Sequence, residues 1–444
     1  MAVFCFFRMD NSTDSGSKLL QLPYPCMYSV LSCFANDRSS LFAAAQAHSK
    51  LRQAVAMAIS SIKTVLKKVQ HVTSVQQYLT SHGQHVGSVD LQLCLEGTVT
   101  LYQLPHSKLQ ALTSLRLSML RLHLQPTAQG QVMFQGVLAA GAPLKQLHLD
   151  GCTLLDGEEG LAAALVLLPK LQRLSCTWNY SSTGRALRFP SSVLQALPQL
   201  TYLELAGERL QDPCDLGMQH LQGLTDLRDL RLSLCAHTIP ASALSGLQLV
   251  TQLKLQGVLG SSVFEPGALA GKTQLQHLEI LSYIIAGGSA GVAELLSNLQ
   301  DKQQLTHLNL SSSLQEADIA PLKAYSGLTC SSNLQHLDIS SCTLPVWTQM
   351  FPDSCQWPHL RELLVDNVRY PARPAVAPAG SRLVTCCPGL QSLQMWGLQH
   401  STVGLAPLTE LTGLSSLRLR PTVGSVPEGL HVVCQLTGLK QLIV

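Results

Sequence analysis

Three histidines each stand one residue before a leucine: His277 in LQHLEI, His307 in LTHLNL and His336 in LQHLDI, roughly 30 residues apart. Two residues beyond each comes Glu279, Asn309 or Asp338. If the three segments are neighbouring parallel strands, the imidazoles form one ladder at about 4.8 Å spacing and the acidic or amide groups form a second. Histidines beside carboxylates could bind a transition metal or respond to pH near neutrality. The near-duplicate text (QHL, THL, QHL) offers a plainer origin, one repeat copied, and the expectation adopted is a polar protein-binding patch with no metal.

Other residues that could do chemistry fit less well. ALAGKT, residues 268–273, ends like a phosphate loop. Its first glycine should lie five residues before Gly271, where Pro266 stands, and the helix that must follow Thr273 is replaced by strand-like text from Gln274 to Ile280. The glycines at 287, 288 and 291 lack the spacing and acidic partner of a dinucleotide fingerprint and fit a turn into a helix. H-E-x-x-H does not occur. No catalytic residue, cofactor or enzymatic activity is expected.

The elements that must position these side chains follow from one eleven-residue phrase. In LQHLDISSCTL, Leu334, Leu337, Ile339 and Leu344 are apolar and Cys342 is small and polar. Leu337 and Ile339 alternate as in a half-buried strand, Leu334 and Leu344 tuck in from the turns, and Cys342 can donate to turn carbonyls. LKQLHLDGCTL, from Leu144 to Leu154, repeats the phrase with Cys152 in the polar slot. Strand leucines or their equivalents recur at Val89, Leu115, Leu147, Leu174, Leu203, Leu230, Leu253, Leu278, Leu308, Leu337, Leu363, Leu393, Leu417 and Leu442. That makes about fourteen repeats averaging roughly 27 residues, and one unit cannot bury its own apolar face.

Over residues 84–444 the pattern resembles the leucine-rich-repeat superfamily. The resemblance implies an α/β solenoid: a curved parallel sheet forming a horseshoe, with helices and loops on the convex side. Glu158 to Leu168 and Ala290 to Leu299 read as convex helices, Gln195 to Leu200 and Leu405 to Leu414 as single helical turns, and Tyr370 to Pro378 as a proline-broken loop. Residues flanking the strand leucines point out of the concave face. Aromatic and arginine side chains are the usual interface anchors, so the candidate partner-binding residues are Trp178, Tyr202, Arg231, His277, His307, His336, Asp338, Trp396, Arg418 and Arg420. Gln441 to Val444 is expected as an uncovered edge strand that could pair with another chain.

A hydrophobic content of 46% with only 5% aromatic residues suits a stacked-leucine core, and a net charge of +3 with no basic stripe argues against nucleic-acid binding. Fourteen cysteines could suggest disulfides. Cys94, Cys152, Cys235 and Cys342 fall in the turn slot instead, and Cys176 at a core strand position, which favours reduced thiols and a cytoplasmic or nuclear location. No segment approaches a membrane span.

Residues 1–18 read as disordered, and 19–70 as three short helices, the last from Ala54 to Val69. Within them LPYPCMYSVLSCFANDRSSLFAAAQAHSKLRQAV resembles an F-box through Leu22, Pro23, Val30, Leu31, Phe34, Leu41 and Arg52, departing from it at Cys26, Ala47 and Leu51. CCPGLQSLQM resembles the cysteine-containing repeats found behind F-boxes, through Cys387, Pro388, Leu390, Leu393 and Met395. These resemblances imply the substrate-recognition subunit of a cullin–RING ubiquitin ligase, with Leu22, Pro23, Val30, Leu31, Phe34 and Leu41 binding the adaptor and a protein target held on the concave face. The alternative is a scaffold or inhibitor in which the helices merely cap the solenoid.

Overall fold

A strand with leucines on one side is stable only where a neighbour continues both its ladder and its apolar face. The computed structural model places such strands in two compact units, Met1–Thr183 and Gly184–Val444. It describes residues 61–66, 69–93, 100–101, 109–122, 143–154, 157–178, 189–207, 218–233, 238–314, 321–329, 331–343, 356–365, 379–396, 405–420 and 433–443. The expected disordered segment 1–18 and the residues likened to an F-box start, Leu22 to Leu41, lie outside them, as does the Tyr370 to Pro378 loop.

In the first unit the strands are β1 (Ser61–Leu66), β2 (Ser88–Leu93), β3 (Thr100–Leu101), β4 (Ser114–Ser118), β5 (Arg121–Leu122), β6 (Gln146–Leu154) and β7 (Arg173–Trp178). β1, β2, β4, β6 and β7 pair in that order, all parallel. β3, β5 and the end of β6 make a second small ribbon. Helix α1 (Val69–His82) follows β1, and α2 (Gly157–Val166) follows β6.

The second unit contains β8 (Tyr202–Gly207), β9 (Asp229–Ser233), β10 (Thr238–Ile239), β11 (Gln252–Gln256), β12 (Val263–Phe264), β13 (His277–Leu281), β14 (Ile284–Ile285), β15 (His307–Asn309), β16 (His336–Asp338), β17 (Glu362–Leu364), β18 (Ser392–Trp396), β19 (Ser416–Arg420) and β20 (Gln441–Ile443). Ten of these form one parallel sheet, from β8 through β9, β11, β13 and β15 to β20. β10, β12 and β14 form a separate three-stranded sheet. Helix α3 (Gly288–Gln300) packs against the 3₁₀ turns Pro266–Leu269 and Leu322–Thr329, and α4 (Ala379–Cys386) precedes β18. Sequence and structure agree on the leucine-rich-repeat solenoid.

Strand anchors pair with one another: Val89 with Leu115, Leu253 with Leu278, Leu308 with Leu337. The thirteen anchors from Val89 to Leu417 are all at most 1% exposed. One expectation is overturned. Residues 54–69 were expected as a helix, yet Ser61–Leu66 is a strand, with Ile62 paired to Val89 one repeat later. The cause is local: Ile62, Thr64 and Val65 are β-branched and suit an extended chain, and β2 offers a free edge to pair with. The parallel stack therefore begins before residue 84.

The turn after each strand is built the same way in several repeats. Met119, Gly151, Ser282, Ser312 and Ser341 all take positive φ, between 56° and 60°. The next residue turns inward. There Cys152 Sγ donates to Leu117 O at 3.2 Å, Ser313 Oγ to Ile280 O at 2.7 Å and Cys342 Sγ to Leu310 O at 3.1 Å, so each ties its turn to the preceding repeat. Burial pushes the Cys152 thiol up to about 12 and the Cys342 thiol to about 11. Both are inert, free and structural.

The glycines at 287, 288 and 291 open α3. Gly287 adopts φ 85°, and a Cβ on Gly291 would overlap the Ala286 carbonyl oxygen, so the chain passes there without room for a side chain. ALAGKT makes a 3₁₀ turn leading to β13, and Lys272, which a phosphate loop would aim at its ligand, is 1% exposed.

Candidate binding face

Strand alternation turns the anchor leucines into the core and their flanking residues onto the open face of the sheet. In the second unit the residues before the anchors run Tyr202, Asp229, Gln252, His277, His307, His336 and Glu362 on successive strands. Those after the anchors run Glu204, Arg231, Lys254, Glu279, Asn309 and Asp338. Two parallel rows of polar side chains result, and hydrogen bonds fix most of them.

At the centre the three imidazoles stack. His277 and His307 have ring centroids 3.9 Å apart and planes within 6°, and His307 and His336 are 3.9 Å apart and within 4°. Glu279 Oε1 accepts from His277 Nε2 at 2.5 Å and from Lys254 Nζ at 2.8 Å, with His307 Nε2 at 3.5 Å. These donors, those of His277 and His307 foremost, hold the Glu279 carboxyl far below the usual carboxylate range against the opposing effect of burial. His336 Nδ1 lies 2.8 Å from Glu362 Oε2. Burial, and secondarily His307, lower the His336 pKa despite that carboxylate. Asn309 and Asp338 turn back to cap their own turns, accepting from the Ser311 and Ser340 backbone N–H groups at 2.9 Å. Only Glu279 among the three therefore serves the histidines.

Toward β8 the rows become a charged cluster. Arg231 grips both oxygens of Asp229, at 3.0 and 2.9 Å, and lies over the Tyr202 ring at 5.2 Å. The Asp229 bonds raise the Arg231 pKa further. Tyr202 donates to Glu204 Oε2 at 2.8 Å. A cleft of about 140 Å³ opens between Glu204, Arg231, Lys254, Gln256, Glu279 and Leu281.

The sequence-derived candidates divide accordingly. His277, His307 and His336 are brought together, and Arg231 joins them through the row that carries Lys254 and Glu279. Tyr202 has the expected register but is only 6% exposed, so it supports Arg231 from beneath instead of meeting a partner. Asp338 lies on the face with its carboxylate committed to its turn. Trp396 and Arg420 end β18 and β19 in mutual register, and Arg418 Nη1 stands 3.5 Å from Gln394 Oε1. Trp178 ends β7 in the first unit, in register with Cys152. Lys254, Glu204, Asp229 and Glu362 belong to the site and were missed, although the alternation that found the histidines, applied strand by strand, would have placed them.

No protein-family model and no curated protein matches this sequence. Among solved structures, the chain is similar to a leucine-rich-repeat protein of Leptospira interrogans, with a TM-score of 0.53 and 17% identity over 86% of this chain and 88% of that one. An internalin of Listeria monocytogenes matches over 88% of each chain at 13% identity, with a TM-score of 0.39. At 17% identity it is the fold that the Leptospira protein shares with this chain, and that fold is the leucine-rich-repeat solenoid.

Proposed function

We propose that this chain is a non-enzymatic protein-recognition module whose partner binds the open face of the second unit's sheet. The observation that carries the reading is the preorganised row from Asp229 to Glu362. Its side chains already hold one another in place, so binding orders few further rotamers. Alternating charges on Asp229, Arg231, Lys254 and Glu279 offer register and specificity to a complementary surface. Arg231 is the best anchor: it is clamped, one-third exposed at its side chain, and backed by an aromatic ring.

The finer reading makes the chain the substrate-recognition subunit of a cullin–RING ubiquitin ligase, and it rests on the F-box resemblance of the Leu22 to Val55 segment. Affinity capture from native cells with wild-type chain and Arg231→Ala tests the recognition face: the partner should be lost in the variant, and an unchanged partner set would remove the face from the proposal. Co-expression with the F-box adaptor tests the ligase reading separately. Co-purification abolished by Leu22→Ala with Pro23→Ala supports it, whereas no co-purification leaves a scaffold.

A further inference from the structure

We propose that His277, Glu279 and His307 form a binding site for a divalent transition-metal ion, with zinc the simplest occupant, contrary to the metal-free face expected from sequence. His277 and Glu279 are alternate residues of β13 and so share its open face, while His307 is the register partner of His277 on β15. Two positions along one strand and one across it place three donors around a point above the sheet. Their ligating atoms already lie within 4.8 Å of one another.

The chemistry of the donor set suits such an ion. Two imidazole nitrogens and one carboxylate oxygen are common zinc ligands at about 2.0–2.2 Å, which in tetrahedral geometry puts donors about 3.3 Å apart. The Glu279 Oε1 to His307 Nε2 separation of 3.5 Å is close to that value. The contact from His277 at 2.5 Å is now closed by a proton and must open as the metal replaces it. Each neutral ring then carries its proton on Nδ1 and directs the Nε2 lone pair at the ion, and the stacked rings fan apart to converge. Side-chain exposures of 21%, 17% and 24% leave the site shielded yet open to solvent for a fourth ligand.

Two neighbours define the limits of the site. His336 stacks on His307, but its Nδ1 is engaged by Glu362, and it is not one of the three converging donors. Lys254 holds the same Glu279 oxygen at 2.8 Å, and its ammonium opposes a second cation there. Binding therefore requires Lys254 to swing away, and removing its charge should strengthen the site.

The test is titration of the purified full chain, stripped of metal, with Co²⁺ alone and then with Zn²⁺. The expected result is one equivalent of cobalt giving the visible spectrum of a tetrahedral nitrogen–oxygen site, without the near-ultraviolet band of thiolate ligation, and displaced by zinc. His277→Asn, His307→Asn and Glu279→Gln should each weaken binding about tenfold or more, since even outer-shell changes have effects of that size. His336→Asn should leave the site in place and Lys254→Met should tighten it. Metal-free thermal midpoints show which variants keep the fold, and Glu279→Gln, the most conservative, serves if a histidine variant does not. A titration without a saturable equivalent, a thiolate band, or a spectrum that survives Glu279→Gln would overturn the proposal.

Discussion

Replacing Lys272 by methionine should stabilise the repeats around β13. Lys272 is 1% exposed, and its Nζ has no hydrogen-bond partner among the described residues. It occupies a turn position that holds leucine in several other repeats. Leu109, Leu168, Leu197, Leu224 and Leu411 each accept the same backbone bond, from the residue three further on, that Lys272 O accepts from Leu275 N. Methionine keeps the unbranched length and removes the polar tip, so little volume changes. An unsatisfied buried donor is worth about 1–3 kcal/mol, and that is the expected gain near neutral pH. The gain should shrink as pH rises. Burial, aided by Lys302, lowers the folded-state pKa of Lys272 below 10.5. The unfolded chain then binds more protons than the folded one, and wild-type stability climbs toward pH 10.5. Urea midpoints of both proteins across pH 6 to 9 measure this, with hydrogen exchange on β11, β13 and β15 assigning the effect to those repeats. A variant no more stable than wild type, or a gap that widens with pH, would refute the placement of an unpartnered amine in the core.

Three further outcomes follow from the same packing. Leu308→Asp puts a carboxylate where a side chain 1% exposed now sits, at several kcal/mol, and should strip exchange protection from β13 and β16 as well as β15; protection lost in β15 alone would contradict a continuous stack. In the folded chain at about pH 7.5, Cys434 should be alkylated while Cys342, buried and raised to about 11, should not be, which peptide mass mapping after brief iodoacetamide treatment would read. Acid should loosen the open face. The lowered Glu279 pKa contributes stability that is present above 4.5 and lost as pH falls through its folded value, and the lowered His336 pKa makes the unfolded chain take up a proton below 6.5 that the folded one resists. Thermal midpoints from pH 7 to 4 should fall less in Glu279→Gln than in wild type.

The repeat register was legible because a leucine strand has one buried face, and slipping by one residue would expose it. The anchors from Val89 to Leu417 and the two turn-slot cysteines within the described residues stand where the phrase puts them. The first strand was not legible. Ile62, Thr64 and Val65 sit among residues that also satisfy a helical period, and only pairing with β2 decides between the two. The histidine ladder followed from duplication, but its chemistry did not. Which row member serves the rings depends on side-chain rotamers: Asn309 and Asp338 fold back onto their turns while Glu279 does not. Tyr202 misled in the same way, since register places a residue on a face without saying what covers it.

The turn position occupied by Lys272 connects the two sides of the sheet. From Lys272 onward five successive repeats abandon leucine there, holding Lys272, Lys302, Ser331, Trp357 and Cys387, and each still accepts the bond from three residues on. Two of the replacements bind the preceding repeat instead of merely packing on it: Ser331 Oγ donates to Lys302 O at 3.0 Å, and Trp357 Nε1 to Leu328 O at 3.2 Å. Those repeats include β13, β15, β16 and β17, the strands that present His277, His307, His336 and Glu362. Directional bonds fix one repeat against the next more narrowly than leucine contacts do. Behind the histidine stack, where ring separation decides what the face can bind, repeat spacing is thus held partly by hydrogen bonds. Trp357→Phe, which keeps an aromatic side chain but loses the Nε1 donor and the volume of the five-membered ring, should therefore disturb the stack and its partner affinity from the opposite side of the sheet, while leaving the Arg231 cluster unchanged.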